Sequence, residues 1–178
     1  MFYQIKSLPD FYAETEKNKG ITNYNSYALP VQLEFLESRR KNELDCNKVD
    51  TKVLLLDRCI YEDYHIFAMA QKHLGFLTDK EFEEYELVYK ENIKQARPPD
   101  LFVYLKTSQM ELSRRIKSRG RDFEQSIDKK YLDTLNYCYN KFFDRLKTQF
   151  KDAKIIVVET DGLDANEVYQ KVLDHIPK

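Results

Sequence analysis

The sequence predicts an α/β domain of three layers built on a parallel sheet, and two observations carry that expectation. Val53–Leu56, Leu101–Leu105 and Ile155–Val158 are short, unbroken apolar runs, the pattern of strands buried on both faces of a parallel sheet. Helical patterns separate them, three of which open with capping boxes: Thr78-x-x-Glu81, Ser108-x-x-Glu111 and Asp164-x-x-Glu167. In such sheets ligands bind beyond the carboxyl ends of the strands. Asp57 and Arg58 stand at that place on the first run.

Taken in order, residues 1–25 are polar and rich in tyrosine, with no decisive periodicity. Ser26 to about Leu44 reads as a helix, with Tyr27, Val31, Phe35 and Leu36 near helical spacing and Pro30 tolerable in its first turn. The first strand, 53–57, is followed by a helix from Tyr61 to about Lys72 and a second from Thr78 to about Ala96. Arg97-Pro98-Pro99 stops the latter. After the second strand, Ser108 caps the helix that carries Arg115. A long helix from about Asp128 to Phe150 places Leu132, Leu135, Tyr139, Phe142 and Leu146 on one face. The third strand and a terminal helix complete a single expected domain over 1–178.

Lys and Arg number 29 against 30 Asp and Glu, so no basic field argues for nucleic acid or an anionic membrane as the main partner. Three cysteines with no C-x-x-C pair read as reduced thiols. No apolar run reaches the ~18 residues of a membrane span, and no signal-peptide pattern opens the chain. The expectation is a cytoplasmic protein. The 13 tyrosines fall mostly at core or boundary spacing and are read as packing.

Three constellations carry chemistry. A carboxylate at Asp57 can hold magnesium or orient a hydroxyl, and the Arg58 guanidinium can steady a phosphoryl group. An isolated Asp-Arg would read as a surface ion pair; Asp63, six residues on, tips the reading toward function. Arg115 and Arg119 share a helix face, and Arg121 follows a glycine that lets the backbone turn. Arginine forks suit phosphate oxygens, although a solvated basic helix end or an RNA-binding patch has the same pattern. Gln32 and Arg39 lie two helical turns apart on one face. A glutamine amide can grip a nucleobase edge, but spacing alone favours two ordinary exposed residues.

Together these residues resemble the deoxynucleoside kinase family, particularly its bacterial deoxyadenosine/deoxyguanosine kinases. Ser26-Tyr-Ala-Leu-Pro-Val-Gln32 through Arg39 is similar to the family's glutamine helix. Asp57-Arg58-Cys59-Ile-Tyr-Glu-Asp63 through Phe67 is similar to its Asp/Glu-Arg-Ser motif, and Arg115-x-x-x-Arg119-Gly-Arg121-x-x-Glu124 to its lid. The resemblance implies a P-loop kinase-like fold and transfer of the ATP γ-phosphate to the 5′-hydroxyl of a deoxynucleoside, a purine first. It further implies that Gln32 pairs with the base, that Arg39 and Asp63 read its other edge, and that Phe67 stacks on it. Asp57 would help hold Mg2+, and Arg58 would meet the 5′-hydroxyl and the moving phosphate, with Arg119 closing on transfer. Arg115, Arg119 and Arg121 would clamp ATP phosphates, Glu124 would reach the sugar 3′-hydroxyl, and Thr160 and Asp161 would lie against adenine. A homodimer is the family's expectation.

The chain departs from the family in three ways. No glycine-rich loop ending in Lys-Ser or Lys-Thr occurs in it. The first βαβ module, of roughly 30 or more residues, is expected to be missing ahead of Met1, which would leave the neighbouring strands unpaired. Cys59 replaces a serine. The alternatives are therefore a non-catalytic, truncated homologue and, among enzymes, a thymidylate kinase-like nucleotide kinase.

Overall fold

A computed structural model describes residues 6–121 and 127–176. Its residues divide into two compact units, Met1–Arg97 with Ser126–Phe142, and Pro98–Gln125 with Phe143–Lys178.

The first unit is helical. Helix α1 (Leu8–Asn18) settles the segment whose sequence was undecided, with Pro9 in its first turn, where no intrahelical N–H is needed. Helix α2 (Ala28–Cys46) is the hub, packing on α1, α3, the π-helical segment and α5. Its buried residues, Ala28, Val31, Gln32 and Leu36, fall at helical spacing. One of the four is polar. Residues 60–74 form one continuous helical run: α3 (Ile60–Glu62), a π-helical segment (Asp63–Ala68) and α4 (Met69–Leu74), ended by Gly75 in the left-handed region at φ 77°. Helix α5 (Asp79–Ile93) opens with the expected box, the Thr78 hydroxyl accepting from the Glu81 amide. It buries Phe82, Tyr85 and Tyr89, and Tyr89 stacks on Tyr64 with centroids 4.4 Å apart.

The second unit holds the sheet. Strands β1 (Leu101–Lys106) and β2 (Lys154–Glu159) pair in parallel, Leu101 opposite Lys154 through Lys106 opposite Glu159. Helix α6 (Gln109–Arg119) follows β1 and ends at Gly120, whose φ of 65° is the turn expected before Arg121. Helix α7 (Lys129–Gln149) belongs to the first unit through Phe142 and to the second from Phe143. Within the second unit Phe143 stacks on Tyr104 at 4.4 Å, and Leu146 is fully buried. Helix α8 (Ala165–Leu173) packs on β2 behind the Asp164–Glu167 capping box.

The expected first strand is a correction. Val53–Leu56 joins no sheet among the described residues, and its side chains are exposed, Leu55 at 67%. An apolar run reports the burial a strand suits, whereas the strand itself exists only through a paired neighbour. None of the described residues pairs with this run.

Candidate functional site

In the first unit the site is built around the turn at Asp57-Arg58. Arg58 has φ 66°, the one left-handed non-glycine among the described residues. Such a conformation costs about 1–2 kcal/mol for an L-residue, so the surroundings must hold it. Three side chains do. Arg39 Nη1 donates to the Asp57 carbonyl at 2.7 Å, Glu62 accepts from the Cys59 amide at 2.9 Å, and Glu43 accepts from the Ile60 amide at 3.2 Å. The Arg58 guanidinium lies 4.5 Å from the Phe67 ring centroid, a cation–π contact.

Arg39 also faces Asp63, with Nε 3.4 Å and Nη2 3.5 Å from its two oxygens. Asp63 is 1% exposed. Burial pushes its carboxyl above the ordinary range, against the opposing pull of Arg39 and Arg58. Burial likewise raises Glu43 and Glu62. The ion-pair bonds are long, so the pair retains hydrogen-bonding capacity for a ligand.

Gln32 was expected to be an ordinary exposed residue on spacing alone; the structure corrects this. It is 2% exposed on the core face of α2, and its Oε1 has no hydrogen-bond partner. A buried amide oxygen without a partner costs about 1–3 kcal/mol, which a bound donor would recover. The sequence signal was present: Gln32 sits four residues after Ala28 and four before Leu36, inside an apolar stripe. Glu43 was missed altogether, though it lies one turn beyond Arg39 on the same face.

In the second unit, Arg115 donates to Glu111 at 2.7 Å and to the Thr160 carbonyl at 2.7 Å. Thr160 is buried, and its hydroxyl meets that of Thr107 at 2.6 Å. The capping box expected at α6 is only half formed. Ser108 Oγ accepts from the Glu111 amide, but the Glu111 carboxylate turns instead to Arg114 and Arg115. Those two arginines, Arg114 first, hold its carboxyl down at about 2. The Ser108 amide is taken by Asp161 at 2.8 Å, and this bonding to Ser108 lowers the Asp161 carboxyl. Thr160 and Asp161 thus tie the end of β2 to the start of α6. Beside them, Thr107, Leu112, Arg114, Arg115, Ser118 and Arg119 line an open cleft of ≈ 390 Å³ at the carboxyl end of β1. Arg121 follows Gly120 and is exposed, while Glu124 lies outside the described residues. Gln32, Arg39, Asp57, Arg58, Asp63 and Phe67 therefore belong to one unit, and Arg115, Arg119, Arg121, Thr160 and Asp161 to the other.

Among the described residues no group of three or more His, Cys, Asp or Glu gathers to hold a metal, and no helix is long and apolar enough to cross a membrane.

Comparison with known proteins bears directly on this arrangement. The family model described as Deoxynucleoside kinase matches residues 10–178. The chain belongs to the deoxynucleoside kinase family. It is 28% identical over 152 residues to a deoxyguanosine kinase of Dictyostelium discoideum, covering 83% of this chain and 52% of that protein. With a deoxyadenosine kinase of the same organism it shares 27% over 143 residues, covering 78% and 58%. The chain thus spans little more than half the length of these curated relatives. A solved deoxyadenosine kinase from M. mycoides with bound dATP superposes with a TM-score of 0.75 at 22% identity, covering 98% of this chain and 84% of that one. Its likeness shows the deoxynucleoside kinase fold.

Proposed function

We propose that this member of the deoxynucleoside kinase family acts on a purine deoxynucleoside, receiving the γ-phosphate of ATP at the 5′-hydroxyl. The observation that carries the reading is the unpartnered Oε1 of buried Gln32, on the same helix as the Arg39–Asp63 pair. A base presenting an exocyclic amine and a ring nitrogen would satisfy the Gln32 amide with a donor and an acceptor together. Arg39 and Asp63 would read the remaining edge, and Phe67 would supply a stacking face.

Arg58, held out by its left-handed backbone, would meet the 5′-hydroxyl and the phosphoryl group in transfer. Arg115, Arg119 and Arg121 would neutralise the donor phosphates, with Arg119 at the cleft making its contact as the phosphate moves. Thr160 and Asp161 would border the adenine of ATP, and Glu124 would meet the 3′-hydroxyl. Asp57 is a single exposed carboxylate. Mg2+ takes such a ligand together with phosphate oxygens and waters, and when bound it would offset charge on the β- and γ-phosphates. A homodimer and a cytoplasmic location accompany the proposal.

A second reading, binding without turnover, rests on one observation: these 178 residues contain no glycine-rich loop ending in Lys-Ser or Lys-Thr. Backbone amides of such a loop supply much of the phosphate affinity. Calorimetric titration of this chain with deoxyadenosine, deoxycytidine and ATP separates the readings. Deoxyadenosine should bind tightest of the two nucleosides, and Gln32→Leu should weaken it at least tenfold with the fold intact. Equal affinity of the Gln32→Leu protein would remove the base-reading role. Deoxyadenosine binding with weak ATP binding would favour the second reading.

A further inference from the structure

The carboxylate of Glu43 has a partner that no base-reading role requires. It reaches across 17 residues of sequence to the amide of Ile60, the first residue of α3, at 3.2 Å. Arg39, four residues earlier on the same face of α2, reaches across 18 residues to the Asp57 carbonyl at 2.7 Å. The two bonds bracket Arg58, whose φ of 66° an arginine does not hold unaided. Glu62 closes the bracket locally by accepting from the Cys59 amide. These two bonds from α2 to the backbone of the turn thus come from side chains one helical turn apart.

We infer that Glu43 is a positioning residue: with Arg39 it clamps the Asp57–Ile60 turn onto α2 and so fixes the direction in which Arg58 leaves the backbone. Arg39 bonds to both Asp63 and the Asp57 carbonyl. The residues assigned to the base and the arginine assigned to the phosphate are thus mechanically joined through one guanidinium. Loss of Glu43 frees the amide at one end of the turn while leaving Gln32, Arg39 and Asp63 in place.

The test compares wild type with Glu43→Gln, which keeps an accepting oxygen, and Glu43→Met, which fills the volume without one. Hydrogen exchange at the Ile60 amide should accelerate about tenfold or more in Glu43→Met and stay within about threefold of wild type in Glu43→Gln. The Glu81 amide, capped by Thr78 on α5, serves as the control and should not change. A second arm, resting on the kinase reading, measures the extra affinity of deoxyadenosine 5′-monophosphate over deoxyadenosine. Glu43→Met should reduce that increment about fivefold to tenfold without changing the affinity for deoxyadenosine more than twofold. Equal exchange of Ile60 in all three proteins overturns the clamp, as does loss of deoxyadenosine and monophosphate affinity in the same proportion. Absence of nucleoside binding to wild type would sink the kinase reading alone, and the exchange arm would still decide the clamp.

Discussion

In the first unit the candidate site is organised around a buried ion pair, whereas in the second it is organised around arginines lining an open cleft. Asp63 is 1% exposed and faces Arg39 across bonds of 3.4 and 3.5 Å. Glu111 is half-buried and bonded to the largely exposed Arg114 and to Arg115, each at 2.7 Å. Burial therefore raises Asp63, Glu43 and Glu62 at the first unit's site, while hydrogen-bonded arginines lower Glu111 at the second's. The difference suits the two tasks proposed above. Discriminating a neutral base needs desolvated groups that penalise a wrong partner. Holding a triphosphate needs several cations that water can reach.

The largest effect should come from unpairing the buried charge. Arg39→Met should destabilise the first unit by about 3–5 kcal/mol, because Asp63 is left buried and uncompensated. Adding Asp63→Leu should recover much of that loss. In the second unit, Arg114→Met should leave the urea midpoint unchanged within error, as exposed pairs contribute little. A loss for Arg114→Met as large as that for Arg39→Met would erase the contrast.

Acidification should act in opposite directions on the Asp63–Glu43–Glu62 cluster and on Glu111. Asp63, Glu43 and Glu62 have raised folded-state values, so at these three groups the folded protein binds protons more tightly than the unfolded chain. The contribution of these three groups should rise as pH falls from neutral through those raised values, then level off below the ordinary carboxylate range. The lowered Glu37, Asp45, Glu81 and Glu86 of the same unit contribute with the opposite sign. Glu111, lowered to about 2 from 4.5, contributes stability that is fully present above about 4.5 and is lost as pH falls through about 2. Protection factors of α2 and α6 amides, followed from pH 7 to 3, should diverge. Parallel curves would mean that burial and pairing do not sort by unit.

The sequence made most elements legible, and the reasons for its failures are specific. Capping boxes located α5 and α8 because both halves of the motif are local. The box at α6 failed because Glu111 had two arginines within reach and Asp161, 53 residues away, took the Ser108 amide. Val53–Leu56 misled because hydrophobicity records what a segment could bury against, whereas pairing depends on another segment. Motif residues of the site were visible through the family resemblance. Gln32 was under-read because its polarity was weighed without the apolar stripe around it. Glu43 carried no motif at all, since its partner is a backbone amide that any residue would supply.

The smallest effects concern hydroxyls, and here the two units should differ in sign. The Thr160 hydroxyl meets Thr107 and the Lys106 carbonyl in addition to Arg115. Thr160→Val leaves those partners short and should cost about 1–3 kcal/mol. Tyr85 is fully buried with a hydroxyl that has no partner, its ring parallel to Tyr64 at 6.4 Å. Burial and the Asp63 charge hold its ionisation well above the ordinary value, so the group stays neutral. Tyr85→Phe keeps the ring and removes the orphan, and should stabilise the protein by up to about 1 kcal/mol in urea titrations. Repeating the measurement with saturating deoxyadenosine decides what the orphan is for. An unchanged gain makes it a packing residue with a surplus hydroxyl. A gain that turns to a loss means the ligand, or a group the ligand moves, supplies the missing partner, and Tyr85 joins Gln32 in the base site.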